Sequence, residues 1–229
     1  MRNIIKNIFY WTKEIIYFFA IVILLNFVGL FYRPKTGSFS EDKLNVVLVH
    51  GIMTKNIIFV FLRKKLRSLG YNVVMFEYGF GFDDITKNAK KLEDFLFQNK
   101  KREIILVGHS LGGVVILEAK RLSREVLELP AITMCSPVRG APLFWVFFWS
   151  KTGRQFNPQG EFIKRIREFS PNYKNTVFVK SAFDGVVLDR YSCFSENRCV
   201  TLDIKGHSAL PFEVSINDMK KIIDLALKK

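Results

Sequence analysis

Past position 43 the chain alternates between two kinds of apolar pattern. Stretches dense in Val, Ile, Leu and Met at 44–49, 72–77, 103–107, 131–135 and 176–180 read as strands, and 199–204 alternates apolar with polar residues as a strand with one solvated face does. Between them, 57–69, 85–98 and 114–125 carry apolar residues at helical spacing, as does the terminal set Ile216, Met219, Ile222, Ile223 and Ala226. Strand followed by helix, repeated, predicts a mostly parallel sheet of about six strands with helices on both faces. The stretch 44–229 suffices for one core and leaves little for a second.

A different pattern precedes it. Positions 15–32 are apolar except for Asn26 and Gly29. A helix of that length spans roughly 27 Å, enough to cross a bilayer. Arg2, Lys6 and Lys13 come before the run, while Arg33 and Lys35 after it are soon met by Glu41 and Asp42. That bias predicts 1–14 in the cytoplasm, 15–32 as a transmembrane anchor, 33–43 as a tether and 44–229 on the outer, periplasmic or extracellular, side. A cleaved signal peptide is the alternative. The run exceeds an ordinary signal core and no Ala-x-Ala site follows, which favours a retained anchor.

Charge adds to this picture. Lys and Arg number 35 against 21 Asp and Glu, a net charge of +14. The basic clusters at 63–67, 87–91 and 100–102 fall mostly on helical stretches. On an anchored protein each exposed cation adds about 1 kcal/mol of attraction to anionic headgroups. No nucleic-acid recognition motif accompanies the charge, so nucleic acid is not an expected partner.

The chemistry is carried by Gly108-His109-Ser110-Leu111-Gly112-Gly113, between a strand pattern and a helical one. Gly-x-Ser-x-Gly at such a corner is a nucleophile elbow: the glycines allow a turn too tight for a Cβ, and the serine hydroxyl projects from the strand's end. Ser110 is the expected nucleophile. Of the three histidines, His109 lies within the elbow and His50 ends the first strand pattern, leaving His207, in a loop after the last strand, as the base. The acid is expected between serine and base in sequence. Asp184, in the loop leaving the fifth strand, is the best placed, with Asp189 and Asp203 as rivals. An oxyanion needs two backbone N–H groups. Leu111, directly after the serine, and Ile52, in the loop after the first strand, are positioned to supply them.

These blocks resemble the lipase and esterase branch of the α/β-hydrolases, and are similar to small bacterial triacylglycerol lipases and to the lipase-like domains of GPI-inositol deacylases. The resemblance rests on Val-Leu-Val-His-Gly-Ile at 47–52, Gly-His-Ser-Leu-Gly-Gly at 108–113, Thr-Met-Cys-Ser-Pro-Val-Arg-Gly-Ala-Pro at 133–142, and Asp-Gly-Val-Val at 184–187 with Gly-His-Ser at 206–208. Val138 departs from it, standing where that family often has a histidine. The resemblance implies an α/β-hydrolase fold and cleavage of carboxylic esters, of lipids above all, through an acyl-enzyme, with no metal or organic cofactor. An acyltransferase or thioesterase would use the same residues, and a non-catalytic binding protein could keep the scaffold.

The aromatic run 143–149 lies where such folds often insert a cap, so 141–170 is a candidate cap that touches lipid; a buried helix or strand is the alternative. Cys193 and Cys199 bracket a short loop between acid and base and are close enough to bridge in an oxidising compartment. Cys135 reads as a small buried hydrophobe.

Overall fold

The run Asn-Val-Val-Leu-Val gives strand β1 (Asn45–Val49), and every one of its residues is buried. Successive strand side chains point to opposite faces, so a run apolar at each position needs cover on both sides. Val47 and Val49 enter one core cluster and Val46 and Leu48 the other. This is a computed structural model describing residues 10–12, 14, 16, 24, 27, 35–99, 102–194 and 198–228, with nothing assigned to the side chains of 143–145.

β2 (Asn72–Phe76), β3 (Ile104–His109), β4 (Ala131–Met134), β5 (Thr176–Phe183) and β6 (Cys199–Lys205) join β1 in one sheet of order β2-β1-β3-β4-β5-β6. Each recorded pairing is parallel, so the strands' carboxyl ends share one edge. Helices α1 (Val60–Ser68), α2 (Ile85–Phe97) and α3 (Leu111–Leu122) lie in the crossovers that parallel strands require. α2 begins where the Asp84 carboxylate accepts Thr86 N–H at 2.8 Å and Lys87 N–H at 3.3 Å, and it buries Ile85, Ala89, Leu92 and Leu96 along one stripe. α4 (Arg124–Glu128), α5 (Lys151–Gln155), α6 (Glu161–Glu168), α7 (Leu210–Glu213) and α8 (Ile216–Leu227) complete the helical layers. α8 buries Met219, Ile222, Ile223 and Ala226 in the second cluster.

Several boundaries differ from the sequence pattern. The expected helix over 57–69 opens as a 3₁₀ turn at Asn56–Phe59. The stretch 114–125 breaks at Ser123, whose backbone is extended and whose side-chain hydroxyl caps α4 by accepting Val126 N–H. α3 starts three residues earlier than its apolar spacing indicates, because Gly112 and Gly113 are helical despite their poor propensity. β5 runs on through 181–183, expected as loop, because Ser181 pairs with Leu202 and Phe183 with Lys205 across a bulge. The aromatic run forms a 3₁₀ segment, Pro142–Phe147, and leaves Val146, Phe148 and Trp149 exposed.

Among the described residues no helix is long and apolar enough to cross a membrane. The span expected over 15–32 falls, apart from Ile16, Leu24 and Phe27, outside the described residues.

Candidate active site

Ser110 sits between β3 and α3 with φ 54° and ψ −123°, a backbone region a non-glycine residue adopts only under strain. The turn is held on both sides: Ser110 N–H donates to the Met134 carbonyl at 2.9 Å, and Gly113 N–H to the Ser110 carbonyl at 3.1 Å. Gly112 shows why the motif needs glycine. A Cβ there would lie 2.0 Å from the Val49 carbonyl oxygen, so only a bare backbone lets the first turn of α3 lie against the end of β1.

Three strand ends converge on the hydroxyl. His207, in the turn after β6, places Nε2 2.9 Å from Ser110 Oγ. Its Nδ1 lies 2.9 Å from Asp184 Oδ2, and Asp184 follows β5 directly. The other carboxylate oxygen accepts Val186 N–H at 2.9 Å and Val187 N–H at 2.7 Å, which fixes the acid's orientation. An ionised carboxylate only accepts, so it assigns the ring proton to Nδ1 and leaves the Nε2 lone pair facing the serine hydroxyl. Ser110 and His207 are each 4 % exposed, which concentrates these electrostatic effects away from water. Burial works to lower the His207 pKa, but Asp184 and then Glu14 outweigh it, and the ring is held above its ordinary value.

The rivals lie elsewhere. Asp189 pairs with Lys180 at 2.6 Å, and Asp203 is exposed and bonded to Lys205. His109 Nε2 donates to the His207 carbonyl at 3.0 Å, its ring 5.0 Å from that of His207. Burial and the neighbouring His207 push the His109 pKa down to about 3, so it stays neutral. His50 is tied to Gly51 O at 2.9 Å and Glu77 Oε1 at 3.1 Å and stacks on Tyr78.

Ile52 and Leu111 flank one point beside the serine. A Cβ on Gly81 would meet Leu111 Cδ2 at 2.6 Å and the Ile52 Cα at 3.3 Å, while one on Gly51 would lie 3.1 Å from Ser110 Cβ. Among the described residues neither N–H donates to a backbone acceptor in the loops and caps, and Leu111 opens α3, where N–H groups lack intrahelical partners.

Two neighbours were not legible as site residues. Glu14 reaches the site from the N-terminal segment: its carboxylate accepts N–H groups from Gly185, at 2.6 Å, and from His207. An acid just ahead of an apolar run carries no sequence signal of such a contact. Cys135 is buried as expected, yet its thiol, the Asp184 carboxylate and a His207 nitrogen lie within 4.8 Å of one another, a donor set of metal-binding type. Burial first, then Asp184, push the thiol pKa up, and both His207 nitrogens are engaged, one by Asp184 and one by Ser110. The structure also joins Cys193 to Cys199, with Cα atoms 6.3 Å apart.

A parallel sheet crossed by helices, with Ser, His and Asp gathered at the carboxyl ends of β3, β6 and β5, defines the α/β-hydrolase class. The sequence profile of the Alpha/beta hydrolase family matches residues 46–212, and the chain belongs to that family. Among solved structures it is similar to the mature form of Bacillus licheniformis lipase BlEst2, with a TM-score of 0.62 at 16% identity over 84% of this chain and 96% of that one. Aspergillus fumigatus lipase B gives 0.66 at 17% identity over 79% of this chain and 52% of that one. The ydeN gene product of B. subtilis gives 0.59 at 17% identity, covering 82% and 100%. At such identities the likeness is one of fold. A search of curated proteins finds no match.

Proposed function

We propose that the protein is a serine hydrolase of carboxylic esters, acting on lipids through an acyl-enzyme. The reading is carried by one observation, the continuous relay from Ser110 Oγ to His207 Nε2 and from His207 Nδ1 to Asp184, each step 2.9 Å. His207 takes the hydroxyl proton as Ser110 attacks the ester carbonyl, and Asp184 stabilises the imidazolium. The Ile52 and Leu111 N–H groups receive the oxyanion. His207 then protonates the departing alcohol, and water repeats the sequence on the acyl-serine.

The lipid part of the proposal has separate support. Phe80, Val146, Phe148 and Trp149 are exposed, and the Trp149 ring lies 4.8 Å from that of Phe82, the residue after Gly81. Lys55 lies 4.7 Å over the Phe80 ring, and Lys151 and Arg154 border the same segment. Aromatic surface fringed by cations suits an interface of acyl chains and anionic headgroups.

Ser110→Ala should abolish labelling by a fluorophosphonate and lower ester hydrolysis by about 10⁴-fold or more. Labelling that survives the substitution overturns the reading. p-Nitrophenyl esters of rising chain length, given to the full chain with and without anionic vesicles, test the substrate: preference for short chains and indifference to vesicles would make it a soluble-ester esterase.

Attachment through 15–32, with the N-terminus in the cytoplasm and the catalytic domain outside, is the reading the flanking charges favour. Glu14 favours a second one. A carboxylate that contacts Gly185 and His207 stands on the catalytic domain's side, so in this second reading the N-terminal segment lies on the same side as the catalytic domain. A cysteine introduced at position 3 separates the two: labelling by an impermeant thiol reagent from the catalytic side supports the second, and protection supports the first.

A further inference from the structure

Glu14 lies outside the hydrolase domain in sequence and within its site in space. Its carboxylate accepts from the backbone N–H of Gly185, the residue after the acid, and from that of His207, the base. One side chain thus fastens the loop leaving β5 to the turn leaving β6. The fit is close: a Cβ on Gly185 would lie 2.7 Å from Glu14 Oε2 and 3.3 Å from Cε3 and Cζ3 of Trp11. The Tyr10 and Trp11 rings pack on Phe183, with centroids 5.3 Å and 6.4 Å away, so the segment is seated by apolar contact as well.

We propose that Glu14 is a positioning residue of the Ser110, His207 and Asp184 site, fixing the acid loop against the base turn and supplying negative charge that favours the His207 imidazolium. This rests on the reading of the site given above and on the second of the two membrane readings, in which position 14 lies on the catalytic side. Glu14 and His207 face each other and Asp184; Ser110, His109 and the Cys135 thiol complete the surroundings. His109 is neutral and Cys135 protonated, so the charges that matter are two carboxylates and one imidazole. While the imidazole is neutral the carboxylates repel, and burial together with Asp184 holds the Glu14 pKa above its ordinary value despite the two N–H groups. Once His207 takes a proton, both carboxylates attract it. Glu14 therefore acts most strongly on the species formed as the serine attacks.

The experiment uses the full chain and compares Glu14→Gln, Glu14→Ala, Gly185→Ala and the double variant Glu14→Gln with Gly185→Ala. Removing the charge should lower the midpoint of the acid limb of kcat/KM by about half a pH unit. Loss of the clasp should reduce kcat by about tenfold to a hundredfold with KM little changed. Gly185→Ala should unseat the carboxylate and reproduce the shift, yet add little in the Glu14→Gln background. A purely structural role would reduce activity and leave the limb where it was. An unmoved limb in both Glu14→Gln and Gly185→Ala, or full additivity of the two, overturns the proposal; if the Glu14 variants do not fold, the limb in Gly185→Ala decides alone. Fluorophosphonate labelling of the same samples distinguishes the failures. A labelled Ser110 with indifferent Glu14 variants removes this proposal only, whereas an unlabelled unaltered protein removes the reading of the site.

Discussion

The sheet's carboxyl edge carries two histidine–carboxylate pairs. His207 meets Asp184 at 2.9 Å and His50 meets Glu77 at 3.1 Å, and both imidazoles are buried. Their surroundings differ. The second nitrogen of His207 faces the Ser110 hydroxyl, whereas that of His50 lies against the carbonyl of Gly51, the next residue in its own loop. The carboxylates differ too: the Asp184 side chain is 6 % exposed and Glu77 38 %. A buried ring beside an acid is therefore an ordinary structural device, and under the proposed function chemistry begins where the remaining nitrogen meets the Ser110 hydroxyl on a strained turn.

The largest expected contrast follows from that free nitrogen. His207→Asn should lower kcat for a p-nitrophenyl ester by about 10⁴-fold or more, since among the described residues His207 is the base bonded to the Ser110 hydroxyl. His50→Asn should keep kcat within about tenfold and instead destabilise the fold by about 1–3 kcal/mol, because it unpairs buried groups in the loop that carries Ile52. Steady-state kinetics and urea unfolding on both variants check the pair of outcomes. A collapse of kcat in the folded His50 variant would erase the distinction.

The acids should differ next. Asp184→Asn can no longer impose the Nδ1–H tautomer, and kcat is expected to fall by about 10²- to 10⁴-fold, while Glu77→Gln leaves it nearly unchanged. The pH profile reads the same difference. The His207 pKa lies above the ordinary value of 6.5, so kcat/KM should rise with pH through a midpoint above 6.5, the base being competent only when deprotonated. Asp184→Asn removes the largest influence holding that pKa up, and the midpoint should fall; Glu77→Gln should leave it in place.

The first pair was visible along the chain because its members sit in patterns that imply position. Ser110 lies between an apolar strand and a helical stripe, and His207 remained after His50 and His109 were assigned to the first strand's end and to the elbow. The first five parallel strands are legible because dense apolar runs have few other uses, and β6 because its apolar and polar residues alternate. What the pattern hid was set by tertiary contact. Gly112 and Gly113 look like loop residues, yet they are helical, and glycine is required there because Val49 and Ser136 leave no room for a Cβ. Strand β5 outruns its apolar stretch because β6 pairs with it. Glu14 was invisible, since a contact across 193 positions leaves no local mark.

The smallest expected effect concerns the chain joining each pair's members. Between Asp184 and His207 the path is closed by the Cys193–Cys199 bridge, with a sequence separation of 6; between His50 and Glu77 there is no cysteine. Closing so short a loop stabilises by about 2 kcal/mol in the chain-entropy account. For a domain of this size that corresponds to roughly 5 °C in Tm. Cys193→Ser with Cys199→Ser should show that loss in a thermal melt while kcat below the transition stays within about twofold, because β5, β6 and the N–H groups of Val186 and Val187 already hold the acid. A large fall in kcat with no change in Tm would mean that the bridge aligns Asp184 with His207 directly, and would make the strap, and not only the free nitrogen, part of what separates the two pairs.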